Sequence, residues 1–357
     1  MDFDEYEIRH YHPEFYLQVI DLLKYLLGSD DACNQDYFKW KYNDNPYTER
    51  PLGVMALYQG EVVGFRGYFA TRFGINEKND EIISLCPGDT CVHPDHRRKG
   101  LSVAMGNKAA HEYTGKYPFF LNLTSTKISL PGYLKMGFLP LASKTYLTKC
   151  NPAGLVRYLF HSKRQCVGQA KKIPFGTFDD IIVSQQPRPE AMHALVERQV
   201  VPADKIVLYQ DKRYFRWRFS NKHNQYVFLY RMKNNILSGY AVIRMSSNKR
   251  RGFIVDYART DEDSIEKILK FIIKAGCFDV LSIYRFSLVD DIDRTVRYLG
   301  FKTVSLFRAI EKKISGELPL LLRPVKQNYR DQDFFVEGLD LRNIENWHIK
   351  GICSDDA

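Results

Sequence analysis

A six-residue string occurs twice in this chain, and it constrains the fold more than any other feature. Tyr37-Phe38-Lys39-Trp40-Lys41-Tyr42 returns as Tyr214-Phe215-Arg216-Trp217-Arg218-Phe219, 177 positions later, with every change conservative. Two of the three Trp lie inside it. Self-similarity at a fixed offset marks a duplicated structural unit. The flanks repeat too. Residues 6–11 read as a strand, and Pro13 opens a helical pattern through Leu27. Residues 181–185, then Pro187 through Arg198, read the same way ahead of the second copy. After the first copy, strands at 52–58 and 61–70 flank a Gln59-Gly60 turn. After the second, strands at 226–231 and 237–244 flank Asn234-Asn235. Tyr133-Leu134-Lys135-Met136-Gly137-Phe138 has a weaker echo in Val296-Arg297-Tyr298-Leu299-Gly300-Phe301. The expected fold is α/β (α+β): two tandem units, each a mixed, mostly antiparallel sheet flanked by helices. The first is expected over residues 1–150 and the second over 175–312. Between them lies a basic linker, 151–174, with a helix expected at 154–161. Residues 313–357 hold Leu318, Leu320, Leu321, Leu322, Phe334, Phe335, Leu339 and Trp347, so they are expected to pack on a domain.

Composition narrows the class without choosing a function. The chain has 357 residues, 45% hydrophobic and 26% charged, which excludes a disordered or fibrous protein. Lys+Arg 52 against Asp+Glu 42 gives a net charge of +10, suited to an anionic partner or merely to a basic surface. The seven Cys include no C-x-x-C pair, so neither a zinc knuckle nor a disulfide framework is expected. The acidic start and the absence of a long apolar run argue against a secretory signal and a membrane span. A cytoplasmic protein is the expectation.

The segment 82–102 carries the chemistry. A strand is expected to end near Val92, Pro94 breaks its ladder, a basic turn follows, and a helix opens near Leu101. Strand, basic turn and helix N-terminus together hold anions, because unpaired backbone N–H groups and the helix dipole face the ligand. Gly100 lets the backbone approach closely. Arg97, Arg98 and Lys99 suit a ligand with several phosphate charges. In these residues the chain resembles the GNAT family of N-acyltransferases. That family's acyl-CoA loop reads Gln/Arg-x-x-Gly-x-Gly/Ala after a V-x-P strand end. Here it reads Arg97-x-x-Gly100-x-Ser102 after Val92-His93-Pro94, departing only in the small Ser102. The strand-like 119–123 and then Tyr133 ahead of Gly137-Phe138 are similar to the family as well. The resemblance covers residues 1–150. Around 256–263 the second copy has no Gly and no basic triplet, and acid stands where pyrophosphate would sit. The second unit is therefore expected to be a degenerate GNAT-like domain without a CoA loop.

The resemblance implies direct transfer of an acyl group from CoA to an amine in a ternary complex, with acetyl-CoA the expected donor. It implies cofactor contacts from Cys91, Val92, Arg97, Arg98, Lys99, Gly100, Leu101, Ser102 and Asn122. The Val92 N–H would meet the oxyanion and Asn122 the pantetheine arm. Tyr133 matches the family's acid, a phenol able to protonate the departing thiolate. Asp89 is the expected base, ahead of His93 and His96. Cys91 reads as a small buried strand residue rather than a nucleophile. The Trp motif recurs in the copy without CoA, which favours packing. Trp40 and Asn43 remain candidate substrate contacts. No His/Asp/Glu cluster has metal-ligand spacing, so no metal is expected.

The expected function is N-acylation of a small amine, with amino sugars or sugar-nucleotide amines favoured and O-acylation open. Two other readings share the architecture. One is a transferase taking an aminoacyl group from tRNA, against which the intact loop speaks. The other is a CoA-binding sensor without turnover. Nucleic-acid and membrane partners are not expected, and the oligomeric state is left open.

Overall fold

The computed structural model describes residues 5–75, 80–143, 145–151, 172–199, 205–247, 249–284, 290–303 and 318–354. The helix expected at 154–161 lies outside the described residues. The first half runs β1 (Tyr6–His10), α1 (Tyr16–Leu27), α2 (Asp31–Phe38), β2 (Leu52–Tyr58), β3 (Glu61–Ile75), β4 (Asp80–Val92), α3 (Leu101–Glu112), β5 (Phe119–Asn122), α4 (Leu130–Lys135), β6 (Leu139–Ser143) and β7 (Tyr146–Cys150). The second half runs β8 (Gly176–Phe178), β9 (Ile181–Ser184), α5 (Pro189–Glu197), β10 (Ile206–Leu208), α6 (Lys212–Arg218), β11 (Gln225–Lys233), β12 (Ile236–Met245), β13 (Arg251–Arg259), α7 (Ser264–Ala275), β14 (Val280–Tyr284), α8 (Asp290–Tyr298) and β15 (Pro319–Pro324).

The paired signals in the sequence have paired structural causes. Both hairpins turn through two residues of positive φ, Gln59 and Gly60 in one and Asn234 and Asn235 in the other. The Gly-Phe echo marks two helix ends in the left-handed conformation, Gly137 at φ 81 and Gly300 at φ 83. One strand outruns its expectation. β3 continues past residue 70 to Ile75 because Phe73 and Ile75 find a second partner in β10.

Two large sheets result. One orders β1-β2-β3-β4-β5-β15-β6, with β10 against the far end of β3; the other orders β8-β9-β11-β12-β13-β14-β7. In each, antiparallel strands lead to a parallel pair, β4 with β5 and β13 with β14. The closing strands are exchanged. β15 lies antiparallel between β5 and β6, while β7 lies antiparallel to β14 and bridges Lys302 through Thr148. Boundaries drawn at 150 and 313 follow chain order, whereas the sheets do not. β7 belongs to the second sheet, and β15, inside the expected tail, completes the first.

The repeated string forms the contact between the units. Trp40 and Trp217 stack with centroids 5.7 Å apart and planes 13° from parallel. Each indole N–H donates to the other's carbonyl, Trp40 Nε1 to Trp217 O at 2.9 Å and Trp217 Nε1 to Trp40 O at 2.7 Å. Reciprocal contacts between equivalent residues define a local two-fold relation, as in an isologous dimer interface. In the tail Phe334 and Trp347 are buried, whereas Phe335 is exposed.

Candidate active site

β4 and β5 pair only at Leu85↔Phe120; the seven residues from Cys86 to Val92 run on without β5 beside them. A bulge in the β3–β4 pairing places Asp89 and Thr90 opposite Arg66, with Asp89 at φ 46. The two strands therefore open into a wedge. The His93 N–H bonds the Val63 carbonyl at 2.8 Å. By the alternation of an antiparallel ladder, the Val92 N–H and C=O then point away from β3, into the wedge. The Val92 carbonyl accepts from Arg97 Nε at 3.0 Å.

The basic turn sits at the mouth of the wedge. Residues 94–96 make one tight helical turn, Arg98 adopts φ 63 and Gly100 φ 80, and α3 starts at Leu101 with no side-chain cap. Its first N–H groups have no intrahelical partner and face outward, where an anion is stabilised. Arg97, Arg98 and Lys99 are exposed. Arg97 is tied to Val92 and Lys99 donates to Tyr6 OH at 2.9 Å. Among the described residues Arg98 has no such tether. Leu101 is buried, so its side chain belongs to the core and only its backbone can face a ligand. A Cβ on Gly132 of α4 would meet Ser102 Oγ at 3.9 Å, so Ser102 turns its hydroxyl toward α4. Asn122 ends β5 and accepts the Thr124 N–H at 2.8 Å. His93 and His96 bond Tyr25 OH (3.1 Å) and Tyr6 OH (2.9 Å) and help fix the turn.

Tyr133 and Asp89 approach the wedge from opposite faces. Tyr133 is buried on the α3–α4 side, with its ring edge-on to Phe138 and the Arg66 guanidinium 4.7 Å from its centroid. Arg66 also reaches the Tyr68 and Tyr133 hydroxyls. Burial pushes the Tyr68 phenol up to about 12. Asp89 faces α2 and the π-helical turn Lys39–Asn43 that continues it. Its Oδ1 accepts from Tyr37 OH at 3.2 Å; its Oδ2 accepts from Lys41 Nζ at 2.8 Å and Tyr42 OH at 2.6 Å. Lys41 is fully buried and the Asp89 side chain is 8% exposed. Such a pair persists only when hydrogen bonds offset a desolvation penalty of roughly several kcal/mol per ion.

The repeat flagged Lys41 through its match to Arg218, but its partner became visible only in the fold. Arg66 and Arg323 were likewise legible only as single charges inside apolar strands. Trp40 is a correction: it is 5% exposed and used up against Trp217, so it offers no face to a substrate. Asn43 lies exposed at the end of the π-turn. Cys91 is buried, donates to the Leu22 carbonyl at 3.3 Å, and burial pushes its thiol up to about 11, against a nucleophilic role.

The second unit opens the same wedge after Ile254↔Ile283 and fills it. Gly351 of the tail lies between Val255 and Tyr284, where a Cβ would come within about 3.0 Å of both. Lys350 Nζ bonds Asp256 Oδ1 at 3.1 Å and Tyr257 O at 2.6 Å. At the start of α7 the Ser264 N–H is held by Asp261 Oδ1 at 2.8 Å. Arg231 reaches both Asp261 and Asp263.

No family model and no curated protein matches the sequence. Solved structures do match. A conserved protein from Enterococcus faecalis superposes with a TM-score of 0.62 at 13% identity, over 92% of this chain and 74% of its own. A GCN5-related N-acetyltransferase from Anabaena variabilis gives 0.59 at 12% identity, over 90% and 73%. Saccharomyces cerevisiae N-myristoyltransferase with bound myristoyl-CoA gives 0.51 at 13%, over 84% and 76%. The chain thus has the fold of the GNAT superfamily, across both halves. Among the described residues, no group of three or more His, Cys, Asp or Glu is placed to hold a metal ion, and no helix is long and apolar enough to cross a membrane.

Proposed function

We propose that the first unit binds an acyl-CoA, with acetyl-CoA the simplest donor, and transfers the acyl group to a small amine. The observation that carries this reading is the open β4–β5 wedge facing an uncapped α3 N-terminus, with Arg97, Arg98 and Lys99 at its mouth. The pyrophosphate would lie on the N–H groups that follow Gly100, and the pantetheine arm would enter the wedge past Ser102 and Asn122. The Val92 N–H would stabilise the oxyanion as the amine attacks the thioester carbon. The C–N bond forms, the C–S bond breaks, the amine's surplus proton leaves toward Asp89, and Tyr133 protonates the departing sulfur. Approach of donor and acceptor from opposite faces matches the placement of acid and base. Holding both reactants in the wedge can lower the barrier by roughly 7–11 kcal/mol. Asn43 would border the acceptor side.

One observation favours a second reading, a CoA-binding protein without turnover: both Asp89 oxygens are already engaged by Tyr37, Lys41 and Tyr42. Acceptor-dependent release of CoA thiol from acetyl-CoA separates the two. Tyr133→Phe should lower that turnover by roughly 10²–10⁴, with acetyl-CoA affinity nearly unchanged. Unaltered turnover would remove Tyr133 from the mechanism.

A further inference from the structure

Two buried arginines beside Tyr133 have no anion. Arg66, midway along β3, is 2% exposed, and Arg323, on the exchanged strand β15, is 3% exposed. Phenols surround them instead of carboxylates. Arg66 lies over the rings of Tyr133 and Tyr68 at 4.7 and 5.8 Å, and Arg323 over Tyr329 at 5.7 Å. Each also donates to one backbone carbonyl, Arg66 Nη1 to Ser102 O at 3.4 Å and Arg323 Nη2 to Lys326 O at 3.2 Å. Arg66 Nε and Arg323 Nε and Nη1 have no hydrogen-bond partner among the described residues. Arg323 lies opposite Phe120 across the β5–β15 pair, and the Tyr68 ring is 5.4 Å from Phe120, so both arginines share the face that Tyr133 closes. Burial first, and then the like charge of Arg66, draws the Arg323 pKa below its ordinary value.

A guanidinium carries five donors in a planar fork that fits a carboxylate. Phenol hydroxyls and ring faces take up part of the Arg66 fork, but its Nε and the Nε and Nη1 of Arg323 are left without an acceptor among the described residues. Two such cations, buried on one face with phenols and two backbone carbonyls but no carboxylate around them, suit an anion better than an inert core. The CoA pyrophosphate has its own place at the exposed turn 97–100. We infer that Arg66 and Arg323 form a carboxylate subsite in the donor half of the wedge, so that one of the reactants carries a carboxylate near the thioester. The inference rests on the acyl-CoA reading above. Because Arg323 arrives on β15, the exchanged strand supplies half of this subsite. The carboxylate has two sources: the far end of a dicarboxylic acyl group, or the acceptor amine itself.

The test compares acetyl-CoA, succinyl-CoA and free CoA by calorimetry, and amine acceptors with a carboxylate against the matching carboxamides by turnover. Both comparisons are made in the wild type, Arg323→Met and Arg323→Lys. Exchanging a buried charge for an apolar side chain is tolerated by many cores, and the thermal midpoint checks that the variants fold. The wild-type comparison stands even if they do not. A preference of roughly tenfold or more for the carboxylated partner, lost in Arg323→Met and reduced in Arg323→Lys while acetyl-CoA affinity holds, supports the subsite. A preference among donors places the carboxylate on the acyl group; one among acceptors places it on the amine. Acetyl-CoA binding with no carboxylate preference on either side overturns the subsite and leaves the acyl-CoA reading standing. An equal loss of all three CoA species in Arg323→Met also overturns it, making the arginine a plain cofactor contact. Failure of the folded wild type to bind any CoA species removes both.

Discussion

The two units share a wedge and differ in what occupies it. In the first, β4 and β5 separate after Leu85↔Phe120, and the helix that follows begins without a side-chain cap beneath three cations. In the second, β13 and β14 separate after Ile254↔Ile283, but Gly351 lies in the gap, Lys350 is locked to Asp256, and Asp261 caps the helix start. A helix N-terminus needs an anion and an open wedge needs a filling. The second unit takes both from its own chain; on the proposed reading the first takes both from the acyl-CoA. The two units thus share an architecture but not an open wedge, so fold likeness over both halves does not by itself imply two sites.

The largest effect should come from blocking the mouth of the first wedge. Gly100→Asp places a side chain at φ 80 and a negative charge beside the expected phosphates. Acetyl-CoA affinity should fall roughly a hundredfold or more, with the thermal midpoint moving little. Retained affinity would mean that the anion does not sit at the turn.

The contact between the units offers the next break. Trp40→Ala and Trp217→Ala should each destabilise by roughly 3–5 kcal/mol, and by similar amounts, because the two indoles make the same bonds in exchange. Chemical denaturation of the double variant should show a loss smaller than the sum by roughly 0.5–3 kcal/mol. Strongly unequal single losses would contradict the two-fold relation.

A smaller effect reads the tail that fills the second wedge. Burial foremost, then the charges of Lys350 and Lys205, draws His348 from 6.5 down to about 3. The unfolded chain takes up a proton that the folded chain refuses. The stability contributed by neutral His348 is therefore complete above pH 6.5 and lost as pH falls toward 3, by up to about 1.4 kcal/mol per pH unit. Between about pH 6.5 and 5 the wild type should lose roughly 2 kcal/mol more than His348→Phe. Parallel pH curves would show that His348 can be protonated in place.

How much of this was legible in the sequence depends on whether the signal was local. Hairpin turns, helix ends and the basic turn announce themselves through residue type, so Asn234-Asn235, Gly300 and Gly100 were readable. Strand partnership was not. By chain order residues 146–150 fell in the first unit and 319–324 in the tail, because hydrophobic pattern does not specify a strand partner across nearly two hundred residues. The same holds for the site. The loop and Tyr133 were singled out by their motifs, whereas the Lys41–Asp89 pair and the Arg66–Arg323 pair join residues that only the fold brings together. Trp40 misled in a different way. An aromatic beside lysines suggests a binding face, but its recurrence in the copy with a filled wedge was the stronger cue, and the reciprocal bonds to Trp217 account for it.

The most direct test of one open wedge in two units is the stoichiometry of acetyl-CoA binding by isothermal titration calorimetry. The account predicts one site per chain, lost in Gly100→Asp. Two sites per chain, or one that survives Gly100→Asp, would contradict it.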